Sequence, residues 1–392
     1  MTCLSFPPPA APSPMNPSPL FARLRREQPV ARVRLPTGDH AWLVTRYHDN
    51  RQILADARFS RAAAAAPGAP RLRAIPLERD AITTLDPPEH TRLRRIVLPH
   101  FAASRIESSR DRLRQTAAGL LADALAGEGT ADLASRFATP LAMTVICEML
   151  GVPDLDRAEF QAVTTDYLGL GVSGPASTLA AAERLKRYFG DLIAARHRNP
   201  GDDTLSLLVA DGRLTDAELI TLGTTLLTAG YQTVANQLGI SVLTLLDHPS
   251  QAARLNGPAS VRTAAEELLR FAPLSVSGGT IRVALADVIV GGTLIRSGEA
   301  VLPATTSANR DELVFASPDR LDLSRAPNPH MAFGHGIHRC LGLHLARLQL
   351  QVAIEVLLPW LPRLRLAMAA EEITWRTQAM VRGPLEIPVN VP

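Results

Sequence analysis

The 392-residue chain is short of cysteine, lysine and aromatic residues, and the shortages narrow its chemistry. Its three cysteines, Cys3, Cys147 and Cys340, are too few and too scattered for a disulfide framework. That suits a reducing cytoplasm, where a thiolate survives to bind a metal. No run of about 18 uninterrupted apolar residues occurs, so a membrane span is not expected. Lys186 is the sole lysine, and the formal net charge is only +3. No concentrated basic stripe or recognition motif is present, which excludes nucleic acid as a partner. The segment 1–20 is rich in proline and lacks a basic start followed by an apolar block, so it reads as a flexible leader rather than a signal peptide. Hydrophobic residues are plentiful, at 46% of the chain. No low-complexity linker divides them, so a single domain over 21–392 is expected.

The patterning is mostly helical. Val30 to Leu35 and His40 to Thr45 alternate apolar and polar residues around Pro36-Thr37-Gly38-Asp39, which predicts a β-hairpin. Tyr47 to Ala55 predicts a helix, and Ala62 to Pro76 a loop. Helical periodicity then runs from Pro88 to Leu255. It breaks near Gly127-Glu128-Gly129, Gly151-Val152-Pro153, Gly171 to Pro175 and Asn199-Pro200-Gly201. Thr280 to Val301 alternates around Gly291-Gly292, which suggests paired strands, and Thr374 to Val391 reads as extended. The fold class is therefore mainly α with small β-sheets.

Cys340 stands in Phe333-Gly334-His335-Gly336-Ile337-His338-Arg339-Cys340-Leu341-Gly342, directly before an apolar helical run from Leu343 to Trp360. Glycines allow backbone to approach a flat macrocycle and adopt φ values that other residues avoid. A thiolate near a helix start is favoured by unpaired N–H groups and the helix dipole. A buried structural cysteine after a glycine turn would explain a lone thiol equally well, but not the ten-residue pattern.

That pattern resembles the haem-binding loop of the cytochrome P450 family, Phe-Gly-x-Gly-x-His/Arg-x-Cys-x-Gly, with every fixed position filled. The resemblance extends from about Pro29 to the C-terminus and implies the triangular, mostly helical P450 fold with haem b as cofactor. It implies Cys340 as the iron ligand, with Phe333 and Gly334 in the cofactor loop. Thiolate ligation favours O–O cleavage. His90 and Arg94, in Asp86-Pro87-Pro88-Glu89-His90-Thr91-Arg92-Leu93-Arg94-Arg95, match the residues that contact one propionate. Arg282, joined by His338, matches the group for the other.

Thr221 to Leu246 is an apolar helical run interrupted by Ala229-Gly230-Tyr231-Gln232-Thr233. By resemblance, Ala229 and Gly230 form the oxygen groove and the Thr233 hydroxyl organises proton delivery. Taken alone, the glycine permits close packing and the threonine bonds its own helix carbonyl. Gln232 departs from the family, where an acid is usual, and Val234 replaces a second threonine. An amide holds water but does not release a proton near neutral pH. Two chemistries stay open: hydroxylation or epoxidation with protons supplied otherwise, and oxidative coupling or ring formation through substrate radicals. A haem sensor or ligand carrier without turnover is the alternative of another class.

Glu267-Leu268-Leu269-Arg270 matches the family's Glu-x-x-Arg pair, which taken alone reads as a surface ion pair. Arg320, in Asp319-Arg320-Leu321-Asp322, is expected to complete it. Arg92, Arg95, Arg105, Arg110, Arg112, Arg339 and Arg347 are expected to form a basic patch that steers an acidic electron donor. The resemblance implies ferredoxin and ferredoxin reductase as that donor system, and a monomer. Leu226, Leu274, Val276, Ser277, Met380 and Val381 are the expected substrate contacts. Most are apolar, consistent with an apolar or amphipathic natural product.

Overall fold

The structure, a computed structural model, describes residues 4–11, 13–72, 77–153, 157–167, 175–276, 278–376 and 381–391. In chain order, the elements needed below are β1 (Leu4–Ser5), α1 (Pro19–Glu27), β2 (Val30–Arg34), β3 (His40–Val44), α2 (Tyr47–Ala55) and β4 (Phe59–Ser60). There follow α3 (Glu89–Val97), β5 (Thr130–Asp132), α4 (Thr139–Leu150), α5 (Asp216–Asp247), α6 (Pro258–Phe271) and β6 (Arg282–Ala284). The chain continues through β7 (Val288–Val290), β8 (Thr293–Ile295), β9 (Ala300–Pro303) and α7 (Leu343–Leu357). It closes with β10 (Arg365–Leu366), β11 (Trp375–Arg376), β12 (Gly383–Pro384) and β13 (Pro388–Asn390).

The described residues group into two compact units. One comprises 1–79, 83–86 and 240–343, the other 80–82, 87–239 and 344–392. Where the sequence predicts a single domain, each unit is thus assembled from separate segments. The boundaries at 239/240 and 343/344 fall inside α5 and α7. No linker marks them because the backbone is helical at both places.

In the first unit a six-stranded sheet has the order β1-β2-β3-β9-β6-β4. The predicted hairpin is there, with Val30 opposite Val44 and Arg34 opposite His40. Gly38, at φ 92°, makes the turn that a side chain would strain. Alternation sorts this sheet's side chains to two cores, as a pleat requires. Ala31, Val33, Leu43 and Leu302 pack with Phe6, Phe21 and Leu24, while Val30, Val44 and Val301 pack with Tyr47, Ile53 and Phe315.

Within 1–20, expected as a flexible leader, several described residues are packed. Leu4 and Ser5 pair in parallel with Val33 and Arg34, Phe6 is buried, and the Ser18 side chain caps α1. An edge strand and one buried aromatic ring hold this segment despite its prolines. The expected loop at 62–76 also differs, since Arg61–Ala64 forms a helical turn capped by Ser60; residues 73–76 lie outside the described residues. The predicted strands within 280–301 are present, with Gly291 and Gly292 at positive φ turning β7 into β8.

The second unit is mainly helical, with a three-stranded sheet β10-β13-β5 and the pair β11-β12. Gly151 ends α4 in the left-handed conformation, matching the predicted break. The break at Gly171 lies outside the described residues, as do positions 172–174. Helix α5 starts on a capping box: Thr215 Oγ1 accepts from the Glu218 N–H, while Glu218 accepts from the Thr215 N–H. It then runs unbroken for 32 residues through the Ala229–Thr233 segment. Among the described residues, no helix is long and apolar enough to cross a membrane.

Candidate functional site

The cysteine loop of the first unit is shaped by backbone. Gly334 donates to the Met331 carbonyl, Arg339 to Gly336 and Cys340 to Phe333, so the segment from Phe333 to Cys340 closes on itself. Gly334 and Gly336 sit at φ 69° and 72°. At Gly336 a Cβ would stand 2.1 Å from the Leu54 carbonyl oxygen, so α2 leaves room for glycine alone. The loop leaves Cys340 exposed, three residues ahead of α7, with Phe333 and His338 half-buried.

Arg282 lies on β6, next to the edge strand of the six-stranded sheet, and is 3% exposed. Among the described residues its guanidinium makes one hydrogen bond, to the Thr280 carbonyl at 3.2 Å. Burial, reinforced by the nearby positive charge of Arg61, pulls its pKa down to about 9. Arg61 is itself buried, and burial lowers its pKa to about 10. It donates to the Thr83 carbonyl at 3.0 Å and to that of Ile281. Asp86 accepts from the Arg61 N–H at 3.0 Å. Two buried cations with one carboxylate nearby leave a local excess of positive charge. Sequence reasoning missed Arg61, because only the pairing of Ser60 with Val283 brings it near Arg282.

Glu267 and Arg270 on α6 form a bidentate pair at 2.8 Å with both side chains fully buried. Arg320 is not its third member. That residue is exposed, and Arg325 takes the place, its Nε 3.1 Å from Glu267. The turn after Ser317 points Arg320 outward and uses its carbonyl as an acceptor for Arg325. Asn328 Nδ2 and the Asp322 N–H fill the remaining lone pairs of Glu267.

In the second unit, His90 on α3 is buried and Arg94, one turn on, is half-buried. Helix α5 presents the Ala229–Thr233 segment. A Cβ on Gly230 would come 2.7 Å from Ile146 Cδ1, so this glycine serves close packing against α4. Thr233 Oγ1 donates to the Ala229 carbonyl. Thr225, Thr228 and Thr244 bond back along the helix in the same way. Gln232 is buried, and its Nε2 donates to Asn236 Oδ1 at 2.7 Å.

Of the expected substrate contacts, Leu226 is buried, Leu274 and Val381 are half-buried, and Val276 packs against the core of the six-stranded sheet. Ser277 and Met380 lie outside the described residues. Three arginines of the expected basic patch are compensated from within. Arg92 pairs with Glu89 and Glu218, Arg110 with Glu107 and Glu355, and Arg112 with Glu148. Arg95 and Arg105 are exposed and make no ion pair among the described residues.

A family model for cytochrome P450 matches residues 261–361, the stretch that holds the Glu-x-x-Arg pair and the cysteine loop. Over a far longer span, the chain is 45% identical to nocardicin C N-oxygenase of Nocardia uniformis subsp. tsuyamanensis, across 377 residues and 95% of each chain. The chain is a cytochrome P450. It is also 42% identical to the mycinamicin IV hydroxylase/epoxidase of Micromonospora griseorubida, over 94% of each. Among solved structures, the P450 hydroxylase of the leinamycin pathway of Streptomyces atroolivaceus superposes with a TM-score of 0.91 at 43% identity, covering 98% of this chain and 99% of that one. A P450 with biaryl coupling reactivity gives 0.90 at 37%, covering 96% and 97%. This cytochrome P450 is therefore a monooxygenase with haem b as cofactor, a small-molecule substrate and redox partners. Its residues fit that group: a glycine-shaped loop presents a thiol, and among the described residues the buried Arg282 guanidinium makes no ion pair.

Proposed function

We propose that this P450 inserts oxygen into an apolar or amphipathic natural-product intermediate, by hydroxylation or epoxidation. Its electrons come from a ferredoxin and ferredoxin reductase, and it works as a monomer in the cytoplasm. Relatives named as an N-oxygenase and a hydroxylase/epoxidase support oxygen insertion. The single observation that carries the reading is the closed loop from Phe333 to Cys340, which presents the thiol.

Bound haem supplies dioxygen activation. Cys340 would hold its iron, with Phe333, Gly334 and His338 in the surrounding loop. Arg282 binds one propionate, and the anion offsets the excess positive charge beside Arg61. His90 and Arg94, one turn apart on α3, hold the other. Ala229 and Gly230 put no large side chain on this stretch of α5, which would leave room for dioxygen. The Thr233 hydroxyl, bonded here to the Ala229 carbonyl, would hold the proton that is passed on. Gln232 releases no proton. Arg95 and Arg105, exposed and uncompensated, offer charge to an acidic donor.

The alternative, oxidative coupling, draws on the neighbour with biaryl coupling reactivity and on the amide at position 232. Labelled dioxygen separates them: an oxygen atom appears in the product of insertion and is missing from that of pure coupling. For the ligand itself, Cys340→Ser is expected to abolish the reduced carbon-monoxide spectrum of a thiolate haem. Its persistence would remove Cys340 from the site.

A further inference from the structure

Gln232 stands where the family usually carries an acid, and its surroundings give the amide a task of its own. Gln232, Asn236 and Gly239 follow one another at i, i+4 and i+7 on α5, a single stripe of the helix. Strand β12 and Val381, two residues before it, lie against that stripe. Gln232 Nε2 donates to Asn236 Oδ1 at 2.7 Å, and Asn236 Nδ2 donates in turn to the Val381 carbonyl at 3.4 Å. Both amide side chains are buried, at 6% exposure each. Gly383 makes room for the chain: a Cβ there would fall 2.6 Å from Asn236 Cγ. One turn on, a Cβ at Gly239 would meet Pro384 Cγ at 3.3 Å. Gly383 pairs with Arg376, and Pro384 with Trp375.

The direction of these bonds matters. Because Gln232 offers a donor, Asn236 must turn its oxygen toward Gln232 and its NH₂ toward Val381. A carboxylate at 232 would demand the reverse. The Asn236 oxygen would then face the Val381 carbonyl, two acceptors with no proton between them. Two acceptors facing each other in a part-buried place, with no donor between them, are costly, so the β11–β12 pair would loosen.

We infer that Gln232 is a positioning residue that, by orienting Asn236, seats the C-terminal hairpin on α5. The departure from the usual acid thus serves the placement of the segment around Val381 rather than proton supply. Its consequence for substrate rests on the reading above that Val381 contacts the substrate.

The test uses the haem-loaded enzyme and hydrogen exchange across 381–385. Gln232→Glu restores the residue type common in the family, yet is expected to speed exchange of the hairpin amides about fivefold to tenfold, the effect of one lost buried bond. Asn236→Asp keeps the bond from Gln232 but has no donor for Val381, and is expected to match it. Thr233→Ala, which removes only the bond to Ala229, should leave hairpin exchange at the parent value. Unchanged hairpin exchange in both Gln232→Glu and Asn236→Asp would overturn the inference. So would faster hairpin exchange in Thr233→Ala equal to theirs, because the loosening would then be general. A substrate titration by the spin-state shift separates the two layers. Faster exchange with an unaltered dissociation constant keeps the positioning role and removes Val381 from the substrate contacts.

Discussion

Arg270 and Arg282 are both buried in the first unit, at 1% and 3% exposure, yet their surroundings are opposite. Arg270 spends its donors within the chain, on both oxygens of Glu267 and on the carbonyls of Asn309 and Pro318, each at 2.8 Å. Phe315 lies against its guanidinium, 5.2 Å from the ring centre. Among the described residues Arg282 has one backbone carbonyl, a neighbouring arginine and no ion pair, with the nearby Asp86 bonded to the Arg61 N–H. A buried charge whose partners are all supplied by the chain is part of the fold. One left short of an anion is kept for a ligand that brings it. The pair thus tells structural charge from binding charge without reference to family.

Breaking the complete network has the largest expected effect. Arg270→Ala removes the buried bidentate partner of Glu267 and leaves its charge to Arg325 alone, a loss of about 3–5 kcal/mol. Urea denaturation of haem-free protein measures it, and haem content after purification should fall in parallel. Next comes the outer member. Arg325→Ala removes a charge-assisted contact worth about 1.5–3 kcal/mol, whereas Arg320→Ala stays within about 0.5 kcal/mol of the parent. Equal losses in the two variants would reinstate Arg320.

The smallest change carries an inverted sign. Arg282→Leu relieves an unmatched buried charge, so the haem-free protein is expected to gain on the order of 1 kcal/mol while haem is retained less well. A drop in haem-free stability would show Arg282 to be structural. The same logic gives a pH dependence. The folded pKa, about 9, lies below the ordinary arginine value. Above about pH 9 the folded state therefore holds this proton less firmly than the unfolded chain does. This group's contribution to haem-free stability rises with pH there, and is absent in Arg282→Leu.

Much of the site was legible because its motifs are local. The cysteine loop needs glycine at Gly334 and Gly336 for φ alone, and a ten-residue pattern reports that directly. Glu267 and Arg270 are three residues apart on one helix, so their pairing follows from periodicity. Arg325 was illegible: 58 residues separate it from Glu267, and the turn between Ser317 and Asp322 decides which arginine returns. Gln232 read as a proton-relay position because the sequence cannot show Asn236 reaching a carbonyl 145 residues away. Phe6 escaped for the same reason, since a proline-rich segment shows no periodicity even when one ring anchors it.

By itself, then, the sequence determined the family, the haem loop and the helix that carries Ala229 to Thr233, because these depend on short spacings and backbone conformation. Only the tertiary structure decided which arginine completes the Glu267 network, where the amide of Gln232 points, and that Arg61 stands beside Arg282. Those outcomes depend on which distant segments fill the last hydrogen-bonding positions around a buried group, and no local pattern encodes that choice.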